Sequence, residues 1–247
     1  MNSYTRVGLA FALTGALLSI VSYFVLSSTP LTALGISTLI LASVSFAVGS
    51  GQPKIPPEVS AVLMQSGAEN ISALVEELSL KSKAIYLPSS MTSGKPLALI
   101  PLDSNLHLPQ LGKKAFPKRL IVRLGSNPEN FGLLVTTPGS AASDSVVSKP
   151  DSTESDLESA LSTVLSSRVN LADGSAVAVE NDVVRVEVSN PRLEERKMWI
   201  YESLGSPLSS IVASVIAQAL DKPVIIEDEQ RQRGRCVLQL RLLRRDF

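Results

Sequence analysis

Cysteine, histidine and tryptophan each occur once in this chain, at Cys236, His107 and Trp199. A lone cysteine forms no internal disulfide, which fits a reducing compartment, and one cysteine with one histidine argues against a His/Cys-rich metal site. Charge is missing over a much longer stretch. From Val7 to Pro53, 47 residues pass without Asp, Glu, Lys, Arg or His, in a protein that is 19% charged. Net charge is lacking too: from Lys54 onward 22 basic residues face 23 acidic ones. Such balance argues against nucleic acid as a partner, because nucleic-acid binders carry a basic excess. The chain has no Gly-x-Ser-x-Gly elbow, no His-Glu-x-x-His and no dinucleotide fingerprint. Ser93-Gly94-Lys95 ends like a phosphate loop, but Ser89 stands where that loop needs glycine. No catalytic residue, cofactor or metal ligand is therefore assigned.

The uncharged run divides at Ser27-Ser28-Thr29-Pro30 into two apolar stretches, Val7–Leu26 and Leu31–Gly49. Each is long enough to cross about 30 Å of hydrocarbon, and in lipid each must be helical to satisfy its own backbone. Residues 1–54 thus read as a transmembrane hairpin, multi-pass with two spans, whose first partner is the lipid bilayer of the cell membrane. Small residues recur at alternating spacings of four and three: Gly8, Ala12, Gly15, Ser19 and Ser22 in the first span, Gly35, Thr38, Ala42, Ser45 and Gly49 in the second. Such seams let two helices approach closely. The short link makes each seam the natural partner of the other; packing between copies through the same faces is the competing use. With no ionisable group of the Asp, Glu, Lys, Arg or His kind at depth, the spans read as an anchor and not a transport pathway. Arg6 and Lys54 flank the hairpin on one side, and the link carries no basic residue. Basic residues favour the cytoplasmic side, so the soluble part is expected there.

The remaining 193 residues suffice for one generous domain or two small lobes. Their pattern is α+β: helices packed on antiparallel sheet. A helix over 58–80, broken near Gly67, leads to strands at 84–87, 97–102, 119–124 and 131–136. The segment 138–150 is small and polar (PGSAASDSVVSK to Lys149) and reads as a flexible linker. A helix over 151–169 follows, with Asp151, Glu154 and Asp156 at its start, where the helix dipole favours acids. Next come strands at 176–180 and 183–188 joined by Asn181-Asp182, a pair suited to a tight turn. A helix capped by Ser206 and opened by Pro207 has no charge through Leu220, and strands at 223–227 and 236–242 complete the set. The expectation is a first α+β lobe over 55–137 and a second over 151–247. Sliding the chain by 140 residues brings Ile71, Ala73, Val75, Leu80, Ile85 and Gly94 onto Ile211, Ala213, Val215, Leu220, Ile225 and Gly234. That offset fits two lobes of one plan; shared amphipathic composition is the alternative.

Few side chains in the soluble part suggest chemistry. Cys236 alternates with Leu238, Leu240 and Leu242 and is expected in the core, where a thiol is inert. His107, between Leu106 and Leu108, reads as a loop residue. Arg231, Arg233 and Arg235 cluster at a turn and fit either contact with anionic lipid or pairing with Glu227, Asp228 and Glu229 across the hairpin. Trp199 lies in an amphipathic stretch, Arg192 to Leu204, suited to a membrane surface, a partner or a lid packed on the sheet.

The order of parts resembles a group of uncharacterised archaeal membrane proteins with two N-terminal transmembrane helices and a cytoplasmic α+β domain. The likeness rests on the adjoining spans, on Glu76-Glu77-Leu78 leading to Ala84-Ile85-Tyr86-Leu87-Pro88, and on Pro207 to Leu242 around Leu220-Asp221-Lys222-Pro223-Val224. It implies archaeal origin and no known activity. The late stretch is also similar to small-ligand domains of the vinyl-reductase type through Cys236, while the other polar ligand positions of that family are absent. The expected function is a membrane-anchored binding or scaffold module acting without catalysis, with a protein partner or self-association. A sensor enclosing a small apolar ligand between or within the lobes comes second, and a membrane-tethered enzyme last.

Overall fold

The computed structural model describes residues 3–51, 57–92, 94–102, 115–117, 119–125, 130–193 and 198–243, with residues 57–64 as backbone. Contacts divide the chain into two compact units, 1–66 and 67–247.

The first unit is built on two apolar helices, α1 (Ser3–Phe24) and α2 (Thr29–Gly51), joined by a tight link with Ser27 in the left-handed region. Both are long and apolar enough to cross a membrane. Their packing is inverted relative to a water-soluble protein. Small residues fill the contact, while Leu13, Leu17 and Phe24 are 64%, 68% and 76% exposed. Exposing such side chains to water forfeits about 1.5–3 kcal/mol each, so these faces call for an apolar surrounding.

The second unit carries an eight-stranded antiparallel sheet in the order β3-β4-β2-β1-β7-β8-β6-β5. Its strands are β1 (Ile85–Leu87), β2 (Leu97–Pro101), β3 (Ile121–Arg123), β4 (Phe131–Val135), β5 (Gly174–Glu180), β6 (Val183–Ser189), β7 (Val224–Gln232) and β8 (Arg235–Leu242). The helices are α3 (Pro57–Glu77), α4 (Pro138–Ala142), α5 (Glu154–Ser162), α6 (Ile200–Leu204) and α7 (Pro207–Leu220). The division between the units falls within α3, which runs without the break expected near Gly67.

The strands expected in two lobes form one sheet, because β1 pairs directly with β7. The physical reason lies in α7, where every residue from Leu208 to Leu220 is buried. A helix without charge needs walls on most sides. Those walls come from β1 and α4 on one hand, and from α5 and β7 on the other. One apolar core therefore unites Tyr86, Ile100 and Leu133 with Val186, Leu238 and Leu240. A smaller cluster, including Ile85, Leu99, Val122 and Leu134, forms a second core.

The segment 138–150, expected as a flexible linker, begins instead with α4 and a 3-10 turn at Ser143–Ser145. Gly139, Ser140, Ala142 and Ser143 are buried. A Cβ on Gly139 would overlap the Ser210 carbonyl oxygen and the Ser214 side chain. Small residues here serve close helix approach, and Thr137 with Ser140 closes a capping box at the start of α4. The following helix, α5, passes into a π-helical turn at Thr163–Arg168.

The offset of 140 residues has a structural counterpart. It carries Ile85 onto Ile225, and these two residues face each other across β1 and β7. Around that pair the strand order reads symmetrically outward, β2 matching β8, β4 matching β6 and β3 matching β5.

Candidate functional site

In the hairpin, all ten residues of the two small-residue seams are buried or half-buried. A Cβ built on Gly15 would lie 3.0 Å from the Gly35 carbonyl oxygen and 3.1 Å from Leu39 N. One on Gly35 would reach the Ser19 backbone nitrogen at 2.7 Å, and one on Gly8 would meet Ser45 Cβ at 3.3 Å. Glycine thus sets the helix separation along the contact. Thr14, Ser37, Thr38, Ser43 and Ser45 donate to carbonyls one turn back in their own helices. That bonding satisfies these hydroxyls within their own helices.

Among the described residues of the second unit, a well-connected carboxylate is Glu229, which the sequence offered only as a partner for the hairpin arginines. Glu229 on β7 accepts from Ser206 Oγ at 2.7 Å, Ser209 Oγ at 2.7 Å and Ser206 N at 3.3 Å. The Cys236 thiol donates to it at 3.9 Å. Ser206 is the N-cap of α7, receiving the Ser209 amide at 3.2 Å, so the carboxylate sits against the positive end of that helix. Gly205, at φ +69°, turns the chain into this cap; a Cβ there would press on Ser209 Oγ and Ile226 Cδ1, both at 2.8 Å. Nearby, the fully buried Tyr86 hydroxyl donates to the Leu204 carbonyl. Burial lifts the Tyr86 phenol far above its ordinary range; a hydrogen bond with Ser210 opposes this and the Glu229 charge adds to it. Ser206 and Ser209 are only 4% and 0% exposed. A nucleophile must be reached by substrate, so this network fixes α7 on the sheet and does not present a reactive hydroxyl.

A shallow cavity of about 260 Å3 opens between the 145–152 segment and α5. Lys149, Asp156, Ser145, Ser159 and Thr163 contribute polar groups, and Val146, Val164 and Ala219 form apolar wall. Asp156 is held below its ordinary carboxylate range, mainly by the Thr153 backbone amide and then by the Thr153 hydroxyl. It closes the capping box of α5.

The remaining sequence candidates lie apart. Cys236 is buried with Leu238 and Leu240. Trp199 is 43% exposed, but it opens α6, whose Ile200 and Leu204 turn into the core. Arg231 stands opposite Cys236 on the β7/β8 hairpin, Arg233 is in its turn, and Arg235 pairs with Glu187 at 3.1 Å. Glu227 pairs with Arg241, and Glu229 turns to the serines. His107 lies outside the described residues. Among the described residues no group of three or more His, Cys, Asp or Glu side chains is placed to hold a metal ion.

The chain belongs to the DUF7982 family. This is a domain of unknown function, matched over residues 1–242, so hairpin and α+β unit fall within one family unit. No curated protein and no solved structure matches the chain.

On β5 the outward amides of Val177 and Val179 donate to Glu158 Oε1 at 2.8 Å and Glu154 Oε1 at 2.6 Å. Two acids of α5 thereby occupy donors that an incoming strand would use. Sequence pattern explained Glu154 only as a partner of the helix dipole and did not single out Glu158; their reach to a strand about twenty residues later is tertiary.

Proposed function

We propose that this protein is a membrane-anchored module whose hairpin holds the α+β unit at the cytoplasmic face, where it acts by binding and not by catalysis. One observation carries the anchoring: the inverted packing of α1 and α2, with glycine and serine inside and leucine, isoleucine and phenylalanine outside. Lipid is the surrounding that satisfies such a surface. The basic residues Arg6 and Lys54 support the orientation. Binding is favoured over catalysis because the serine hydroxyls that Glu229 engages are buried at the start of α7, out of a substrate's reach. A third apolar stretch, Ile200–Leu220, has 89% of its most apolar window buried and belongs to the core of the α+β unit.

Alkaline carbonate extraction of membranes tests the anchoring, which requires the protein to stay in the pellet. Orientation is read with an impermeant thiol reagent on intact cells, in a Cys236→Ala background. Ser28→Cys in the link is expected to label, and Ser155→Cys on α5 to label only after permeabilisation. Release by carbonate overturns the anchoring, and labelling of Ser155→Cys from outside overturns the orientation.

A further inference from the structure

We infer that the cavity between the 145–152 segment and α5 is a binding site for a free α-amino acid with a branched aliphatic side chain, held at both of its charges. The inference rests on the reading of the chain as a binding module and names its ligand class. Lys149 and Asp156 both line this cavity. They make no ion pair or hydrogen bond with each other. Their fields nevertheless overlap: after the Thr153 bonds, the Lys149 charge adds to holding the Asp156 carboxyl below its ordinary range. Both Thr153 bonds fall on Asp156 Oδ2, at 3.0 and 2.8 Å, which leaves Oδ1 to accept from another donor. The Lys149 ammonium has no partner among the described residues. A lone anion here would meet Asp156, and a lone cation would meet Lys149. A zwitterion satisfies both, its carboxylate on Lys149 and its ammonium on Asp156.

The walls set the size and the third group of the ligand. Asp156, Ser159, Ala160 and Thr163 recur at helical spacing, so one face of α5 forms a wall. The Ser159 hydroxyl bonds nothing among the described residues and stands one turn from Asp156, within range of the same ammonium. Val146, Val164 and Ala219 give an apolar surface for an aliphatic side chain. The volume, about 260 Å3, is that of roughly nine waters at about 30 Å3 each, and leucine has nine non-hydrogen atoms. The wall opposite α5 is preformed. Gln218 Nε2 donates to the Val146 carbonyl at 3.5 Å and the Lys149 amide to the Ala219 carbonyl at 2.8 Å. Arg168 donates to the Ala142 carbonyl at 3.3 Å and to the Ser145 hydroxyl. These bonds pin a segment of linker composition, and a wall already in place spares the ligand the cost of ordering it. Thr163 and Val164 also begin the π-helical turn, a rare backbone form found frequently at functional sites.

The test titrates L-leucine into the full chain in lipid nanodiscs, followed by saturation-transfer NMR with empty nanodiscs as the baseline. Saturable binding is expected. Two analogues each lack one charge: 4-methylpentanoate has no ammonium and 3-methylbutylamine has no carboxylate. Each should bind about fivefold or more weakly than leucine. Lys149→Met and Asp156→Asn should weaken leucine by a similar factor, and the asparagine keeps an acceptor for the Thr153 cap. The pairing of variant with analogue separates lost contacts from misfolding. In Lys149→Met leucine should lose its advantage over 3-methylbutylamine alone, and in Asp156→Asn its advantage over 4-methylpentanoate alone. Absence of saturable leucine binding up to millimolar concentration overturns the proposal. So does equal binding of the three compounds, or binding indifferent to both substitutions. New resonances from leucine consumed during the titration would uphold the site and overturn the reading of the chain as a module without catalysis, so the two failures are distinguishable.

Discussion

Replacing Glu229 by alanine removes the group that ties β7 to the start of α7, and the cost can be worked from its bonds. Two hydroxyls at 2.7 Å and one amide at 3.3 Å lose a charged acceptor. Buried bonds to a charged group contribute about 1.5–3 kcal/mol each, which sets an upper range of about 3–6 kcal/mol for the two short ones. Two features reduce it. Glu229 is half-buried, and Ser209 Oγ keeps its bond to the Ser206 carbonyl at 2.9 Å, so that hydroxyl is not orphaned. The net loss is then about 2–3 kcal/mol, which for a unit of this size lowers Tm by roughly 5–10 °C. Glu229→Gln retains one carbonyl acceptor and should lose about half as much. The assay is thermal unfolding of the full chain in detergent, followed by near-ultraviolet circular dichroism, with amide exchange along α7 as the local readout. A cycle with Ser209→Ala isolates the coupling, expected at about 1 kcal/mol or more. A Tm for Glu229→Ala within about 1 °C of the parent, with unchanged exchange in α7, refutes the reasoning.

Other outcomes follow from neighbouring geometry. Gly139→Leu forces a side chain onto the Ser210 backbone and should cost about 1–3 kcal/mol in the same unfolding assay, with Ser140→Ala as a milder control. Gly35→Leu cannot keep the α1–α2 separation, since its Cβ meets Ser19 N at 2.7 Å; disulfide trapping between cysteines at positions 8 and 45 in a Cys236→Ala background should fail in that variant and succeed without it. Tyr86 has a folded pKa raised above its unfolded value of 10.0, so its contribution to stability is complete below pH 10 and is lost as pH rises through the folded value. Urea midpoints should fall above pH 10, and Tyr86→Phe should flatten that decline. Combining Glu154→Ala and Glu158→Ala should speed amide exchange at Val177 and Val179 while leaving β6 protected.

Where the hydrophobic period is strong and local, the fold was legible. Alternation placed all eight strands within a few residues, and the uncharged run located both apolar helices. The longest miss among the strands is β7, expected to end at Glu227 but continuing to Gln232. Its charged residues read as a turn because one face of this hairpin is solvated, and solvated strands carry little apolar signal. The segment 138–150 misled for a different reason. Gly139, Ser140 and Ala142 have the composition of a linker, yet their small size admits α4 against α7. Composition alone does not separate residues that avoid packing from residues that permit the closest packing. The Glu229 network was invisible because its members lie about twenty residues apart in sequence and meet only once β7 pairs with its neighbours. Ser206 was identified as a cap, but nothing local pointed to the carboxylate that bonds it.

The pairing of β1 with β7 has a consequence for how the chain is made. Ile85 leaves the ribosome 140 residues before its partner Ile225. Once β4 has followed, β1 to β4 can assemble, but β1 presents a raw edge until β7 emerges. The β5–β6 hairpin waits as well, since β8 joins it to the rest. A message truncated before β7 would therefore yield the four strands β1 to β4 and a separate β5–β6 pair, with no strand to join them. In this protein the last strands to be translated are the ones that close the middle of the sheet.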